Sequence, residues 1–161
     1  EGVGSIHRAT LLPSGAELAG LPEPFPAPRP PEGWLLEPDA AVIRAGLVGN
    51  LARSLGAWPI DERLAYLAVP GMVETPFART YRIEAPEPFS GKALAAKLRR
   101  VGAGDVVLKT RGSVLQPEAV RQQLRAVLKL GRADCRPVVF LTRLSGRAVM
   151  IWGERSGSGR S

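Results

Sequence analysis

The chain has 161 residues, 45% of them hydrophobic, and 22 Lys and Arg against 15 Asp and Glu give a net charge of +7. This length and apolar content are enough for one hydrophobic core with additional segments. The lone Cys135 excludes an internal disulfide, and the lone His7 makes a metal site improbable, so a reducing, cytoplasmic location is expected. A membrane span is also not expected, because no apolar run approaches the required ~20 residues.

The excess of positive charge favours binding to polyanions, because contacts to phosphates release condensed counterions. Nucleic acid is therefore the first class of partner to consider. An arginine-rich composition inherited from the source genome would produce the same charge without such a function. The charge alone leaves both explanations open.

The N-terminal segment is predicted to contain a short hairpin and a connector. Residues 5–12 alternate in polarity as a strand does and end at the turn of residues 13–15, after which residues 16–18 can return as a second strand. Residues 22–31 are so rich in proline that they predict a stiff, extended connector.

The folded body is expected to begin at Trp34 and to continue into one helix from Pro38 to Gly56. Its apolar residues recur every four positions: Ile43, Leu47, Leu51 and Leu55. Gly46 and Gly49 inside this helix indicate close packing against a neighbouring element. Gly56 is placed to end it in the left-handed conformation. The apolar residues 64–69 form either a strand or a helical turn.

The second half of the chain follows a regular order of elements. A strand is predicted at residues 80–84, then a helix over 91–101 that Ser90 caps, then a strand at 106–108. A helix starting at Pro117 and a hairpin of residues 137–144 and 147–152 complete the pattern. The predicted fold class is therefore α+β (α/β): a leading helix, then β-α-β-α-β-β, with helices packed on a mixed sheet.

The stretch from Gly104 to Leu128 is predicted to organise the domain. The short apolar run at 106–108 is typical of a central strand that is covered on both faces. Lys109 and Arg111 follow it on one side, and Gly112 allows a turn with positive φ. Helical periodicity then directs one face of the next helix inward, at Val120, Leu124, Val127 and Leu128.

The outward cations of this stretch and of the preceding helix form the candidate site. We expect the following residues to contact the phosphates of a nucleic acid: Lys97, Arg100, Lys109, Arg111, Gly112, Arg121, Arg125 and Lys129. A structural alternative stays open, in which Lys109 or Arg111 pairs with Glu118 or Asp105 to fix the turn. Aromatic residues make up only 6% of the chain, so shape and backbone recognition are favoured over base stacking.

No catalytic set is recognisable in this sequence. The glycines at the start of the chain follow no strand and are too few for a nucleotide cradle. Asp61 and Glu62 are adjacent and point apart, which does not suit an acid/base pair. Cys135 lacks a second residue of a catalytic pair and is best explained as a structural cysteine. No catalytic residue, metal site or cofactor-binding residue is therefore expected.

Five segments carry a family resemblance: Trp34–Ala45 (WLLEPDAAVIRA), Tyr66–Leu67, Lys109–Gly112, Pro117–Arg121 and the closing hairpin. Together they resemble the THUMP-like domain found at the C-terminus of certain bacterial class I S-adenosylmethionine-dependent methyltransferases. The resemblance covers about Trp34 to Glu154. In addition, Ala9–Gly15 (ATLLPSG) looks like the last strand region of a preceding methyltransferase domain.

The resemblance and the local composition together predict four segments: a methyltransferase remnant at 1–20, a proline-rich linker at 21–33, a THUMP-like domain at 34–154 and a flexible tail at 155–161. The resemblance also implies a fragment of a larger protein, in which this part recognises RNA and an absent catalytic domain uses S-adenosylmethionine. The expected partners are RNA and that catalytic domain. The alternative is a module for protein interaction or self-association that docks on an acidic partner or on the catalytic domain.

Overall fold

The computed structural model describes residues 4–113 and 115–156, which divide into two compact units. Unit 1 contains the described residues up to Arg82 together with Arg155 and Ser156, and unit 2 runs from Ile83 to Glu154. The mixed α+β fold agrees with the predicted fold class. The four segment boundaries given above stay a prediction, and most of the expected tail lies outside the described residues.

Unit 1 is an antiparallel arrangement of six strands and two helices. Its elements are β1 (His7–Thr10), β2 (Glu17–Gly20), β3 (Trp34–Pro38), α1 (Ala40–Arg44), α2 (Val48–Leu55), β4 (Trp58–Pro59), β5 (Leu67–Val69) and β6 (Ala78–Ile83). Strands β1 and β2 form the predicted hairpin, and the others pair in the order β4-β5-β3-β6. The core between the helices and these strands is built from Leu36, Val42, Leu47, Leu51 and Leu67. The open choice at residues 64–69 is thus decided in favour of a strand over Leu67–Val69, while residues 64–66 form neither strand nor helix.

The single helix predicted from Pro38 to Gly56 is wrong. Pro38 ends strand β3, and the Asp39 side chain caps α1 by accepting a hydrogen bond from the Ala41 N–H at 2.8 Å. Gly46 then adopts φ +70° and ends α1, a conformation that costs glycine little. A four-residue apolar spacing continues across this break, which is why periodicity alone did not reveal it. Gly56 ends α2 in the left-handed conformation, as predicted.

The proline-rich residues 22–31 contain neither helix nor strand, and they contact α2 and β4 of unit 1. The Asn50 side chain accepts from the Glu23 N–H at 3.1 Å, and Arg53 pairs with the Glu23 carboxylate at 2.8 Å. Gly49 faces the Glu23 carbonyl so closely that a side chain there would overlap it, which confirms the close packing expected at Gly49. Close packing is not found at Gly46, where an added Cβ would lie 3.8 Å from the nearest atom, Nδ1 of His7. The Arg29 guanidinium stacks 3.8 Å above the ring of Trp58.

Unit 2 places two helices against a small sheet. Its elements are β7 (Glu87–Pro88), α3 (Gly91–Val101), β8 (Val107–Thr110), α4 (Pro117–Leu128), β9 (Val138–Leu144) and β10 (Arg147–Arg155). Strand β10 is antiparallel to β9 and to β7, whereas β8 runs parallel to β9. The core combines residues of both helices with residues of the sheet: Leu94, Leu98, Val120, Leu124, Val139, Leu141 and Met150.

The prediction that residues 106–108 form a central strand is wrong. Strand β8 ends the strand order β10-β9-β8, and its four residues are only half-buried. The fully buried Val106 lies just before the strand, so the apolar run combined one core residue with an edge strand. Strand β9 lies between β10 and β8, and its residues Val139, Phe140 and Leu141 are completely buried.

The predicted cap of α3 is confirmed, and it supplies a simple test of local stability. The Ser90 hydroxyl accepts a hydrogen bond from the Ala93 N–H at 3.2 Å, and Gly102 ends the helix at φ +70°. Ser90→Ala should lower the free energy of unfolding by about 1 kcal/mol, because one helix N–H loses its partner. Urea unfolding would measure this, with Ser90→Asp as a control that retains a cap. Equal losses in both variants would contradict the capping role.

Two negative findings apply to the described residues. No helix among residues 4–113 and 115–156 has the length and apolar character that a membrane crossing requires. Over the same ranges, no group of three or more His, Cys, Asp and Glu side chains is arranged to bind a metal ion.

Candidate nucleic-acid interface

The C-terminal ends of α3 and α4 meet through the segments that follow them. The Gly104 N–H donates to the Arg132 carbonyl at 2.9 Å, and the Arg132 N–H donates to the Gly102 carbonyl at 2.9 Å. A Cβ on Gly131 would overlap the Ala103 carbonyl, and a Cβ on Gly104 would overlap the Arg132 carbonyl. The two backbones can approach this closely only because both positions are glycine.

Exposed cations are concentrated near these two helix ends. Arg99 and Arg100 occupy the last turn of α3, Arg125 occupies the last turn of α4, and Lys129 follows it directly. Cations at helix C-termini interact favourably with the helix dipole, which gives them a structural role in any case. The same placement produces a positive surface where two helices end together.

A groove of about 520 Å³ runs along the outer face of α4. Its described lining residues are Gly104, Glu118, Arg121, Gln122, Arg125, Leu128 and Lys129. Spacings of three and four residues place side chains on one helical face, so α4 and the adjoining Lys129 supply all of this lining except Gly104. The volume lies within the range typical of ligand pockets.

One carboxylate, that of Asp105, holds two arginines beside this groove. Its Oδ1 accepts from Arg121 Nη1 at 2.9 Å, and its Oδ2 lies 2.8 Å from Nε of Arg136. A second nitrogen of Arg121 donates to the Val106 carbonyl at 2.9 Å. The N–H of Val106, which donates to Asp105, lowers the pKa of that carboxyl below its ordinary value, and Arg121 and Arg136 lower it further.

Three of the predicted site residues are brought together, and Arg121 differs from the other two. Arg121, Arg125 and Lys129 all line the groove. Arg125 and Lys129 are exposed, and neither has an ion-pair partner among the described residues. Arg121 is instead anchored at both ends of its guanidinium by Asp105 and Val106. Asp105 is one of the two carboxylates named in the structural alternative, but its partner here is Arg121 and not the Lys109 or Arg111 that the alternative named.

The other predicted site residues are outside the described lining of the groove. Lys97 is only 13% exposed, contacts Glu84, and stacks 4.5 Å from the ring of Trp152. Arg100 is exposed on α3. Lys109 and Arg111 are half-buried at the end of β8, and Gly112 turns the chain with φ +64°, as expected. Their contact with RNA stays a prediction.

Sequence reasoning missed the groove's polar lining. Glu118 and Gln122 lie four residues apart and face the same groove as Arg125 and Lys129. The helical spacing places Glu118 and Gln122 on the same face as the cations, but the sequence prediction considered only the positively charged residues of that face. The role of Arg136 had no local signal, because its partner Asp105 lies far from it in sequence.

Comparison with known proteins finds three kinds of similarity. Residues 78–155 match the model described as THUMP domain-like. Two curated relatives from the CDC 1551 / Oshkosh and H37Rv strains of Mycobacterium tuberculosis are described as uncharacterized S-adenosylmethionine-dependent methyltransferases. Each is 32% identical over 124 residues, which cover 77% of this chain and 34% of the relative. The chain therefore spans about a third of the length of these relatives.

A solved structure supports the fold. The crystal structure of a protein from Porphyromonas gingivalis W83, described as a methyltransferase, aligns with a TM-score of 0.71. The alignment covers 92% of this chain and 37% of that chain at 20% sequence identity. At this level of identity the likeness establishes the fold and nothing about the activity.

Proposed function

We propose that this chain, whose residues 78–155 match the THUMP domain-like family model, recognises RNA for an S-adenosylmethionine-dependent methyltransferase. The curated relatives, which match this chain over 124 residues, are described as methyltransferases and are about three times as long as the matched part. Methyl transfer and binding of S-adenosylmethionine are assigned to a catalytic domain outside this chain. The role of the described residues is to hold the RNA substrate.

The observation that carries this proposal is the pair of exposed cations in the α4 groove. Arg125 and Lys129 lie one helical turn apart, and no carboxylate among the described residues neutralises them. Phosphates of an RNA strand would satisfy both, since phosphate contacts need charge and reach but no particular base. All three aromatic side chains described in unit 2, Phe89, Phe140 and Trp152, are buried or half-buried, which favours backbone contacts over stacking.

Salt dependence tests the proposal directly. We expect binding of a structured RNA hairpin to weaken steeply with salt, because each phosphate contact releases counterions. The double change Arg125→Ala and Lys129→Ala should lower the slope of log affinity against log salt by roughly 1.5 to 2 units. Fluorescence anisotropy at several salt concentrations would measure this.

The control variant for this experiment removes a positively charged side chain outside the α4 groove. Arg63 is exposed in a loop of unit 1 and has no ion-pair partner among the described residues, so Arg63→Ala tests for a general effect of charge. Its salt slope should stay within measurement error of the unaltered protein. A protein that binds no RNA, or whose binding ignores salt, would refute the proposal and favour docking on a protein partner.

A further inference from the structure

Polar side chains along α4 change character from one end of the groove to the other. Glu118 lies in the first turn, Gln122 follows one turn later, and Arg125 and Lys129 occupy the end. Arg125 and Lys129 follow Glu118 at about 10 and 16 Å along the axis, given the rise of an α-helix. The groove therefore runs from an acceptor end to a cationic end.

The acceptor end is unusual in a surface that binds a polyanion. A carboxylate repels phosphates, and Glu118 is exposed with no ion pair or side-chain hydrogen bond among the described residues. Arg121, the nearest cation in sequence, has its guanidinium engaged by Asp105 and the Val106 carbonyl. The carboxylate of Glu118 is thus available to a ligand and is not neutralised by its neighbour.

An ionised carboxylate can only accept hydrogen bonds, and this property selects among the bases. Guanine presents N1–H and N2–H side by side on its Watson–Crick edge, which match the two carboxylate oxygens. Adenine and cytosine present one donor beside an acceptor, and uracil presents one donor between two carbonyl oxygens. The acceptors of these three bases would face the carboxylate and oppose binding.

We propose that the α4 groove receives one unpaired guanine of the bound RNA. Glu118 accepts from N1–H and N2–H, and the Gln122 amide lies beside the base edge. Arg125 and Lys129 contact the adjoining phosphates, and Leu128 supplies an apolar contact between them. This inference rests on the proposed function, and it adds a base preference to recognition that otherwise depends on the RNA backbone.

A single amino group on the base provides the test. Inosine lacks the N2 amino group of guanine and keeps the rest of the ring. We expect the protein to bind a hairpin with one guanine in its loop about tenfold more tightly than the same hairpin with inosine, as a bidentate contact is lost. Glu118→Gln should bind the two RNAs alike. The matched control, Glu154→Gln, removes the same charge from an exposed position outside the groove and should keep the preference.

The outcomes separate this inference from the function on which it rests. Equal binding of the guanine and inosine hairpins by the unaltered protein, with its steep salt dependence intact, would overturn the guanine site and leave RNA binding standing. A preference that persists in Glu118→Gln would assign it to another residue and overturn the proposal as well. Absence of binding to either hairpin would overturn both.

Discussion

Gly131→Ala is expected to be the most destabilising small substitution in unit 2, lowering the free energy of unfolding by about 3 kcal/mol. A Cβ at this position would overlap the carbonyl carbon and oxygen of Ala103. Those atoms cannot move aside easily, because Gly102 and Gly104 are hydrogen-bonded to Arg132 on either side of Ala103. The melting temperature should fall by about 6 to 12 °C for a chain of this length.

Gly71→Ala is the matched control for this effect. A Cβ on Gly71 would meet nothing within 4 Å, so the same change should alter stability by no more than about 0.5 kcal/mol. Differential scanning calorimetry of both variants would separate steric overlap from the general effect of replacing glycine. If Gly131→Ala and Gly71→Ala had the same melting temperature, the close approach of the two helix ends would be refuted.

Local signals were sufficient wherever one residue decides the conformation. Ser90 and Gly102 mark the two ends of α3, and the sequence between them repeats apolar residues with helical spacing. The turn of Ser145 and Gly146, with φ of 50° and 79°, is the left-handed pair that a two-residue hairpin requires. These elements follow from interactions within a few residues, so the sequence predicts them well.

The wrong predictions concern features that depend on distant neighbours. Whether residues 106–108 are central or at an edge depends on whether a strand pairs with their second side, and three apolar residues carry no such information. The break at Gly46 depends on how α1 and α2 pack on the strands of unit 1. Both α1 and α2 keep the same apolar spacing, so a continuous helix and a broken one give the same pattern.

In the candidate site, too, some features follow from the local sequence and others depend on distant residues. The exposure of Arg125 and Lys129 follows from the position of each on an amphipathic helix, which is a local property. The anchoring of Arg121 depends on Asp105, which lies 16 positions earlier, and this contact forms only when α4 packs beside the start of β8. Sequence alone could not distinguish an arginine that holds the fold from one that is available to RNA.

We expect Asp105→Ala to reduce the stability of unit 2 by about 2 kcal/mol, because it leaves three donors without their carboxylate. These donors are the Val106 N–H and the guanidinium groups of Arg121 and Arg136. Both ion pairs are partly exposed, so solvent screening keeps the value at this modest level. The side chain of Arg121 is 39% exposed and that of Arg136 is 59% exposed, so Arg121→Ala should cost more than Arg136→Ala.

A double-mutant cycle between Asp105→Ala and Arg121→Ala should give a coupling energy of about 1 kcal/mol. The single variant Arg121→Ala also separates two roles in RNA binding. Arg121→Ala should have a lower melting temperature than Arg125→Ala, because the Arg121 side chain is held by Asp105 in the unaltered protein. For the same reason, Arg121→Ala should reduce the slope of log affinity against log salt by less than Arg125→Ala does. A cycle with no coupling, together with a full loss of one slope unit in Arg121→Ala, would make Arg121 a phosphate contact instead.

The contribution of Asp105 to stability should disappear in acid. The pKa of Asp105 is lower in the folded protein than in the unfolded chain. Its carboxylate therefore contributes its full stabilisation at pH values above the pKa of the unfolded chain, about 3.9. As the pH falls below about 4 and through the folded pKa, the carboxylate is protonated and this stabilisation is lost. The difference in unfolding free energy between the unaltered protein and Asp105→Ala should therefore be constant near neutrality and narrow below about pH 4. Urea unfolding from pH 7 to 3 would measure this difference, and Asp134→Asn serves as a control at an exposed carboxylate. If the difference in unfolding free energy stayed constant down to pH 3, the charge of Asp105 would not be what holds Arg121.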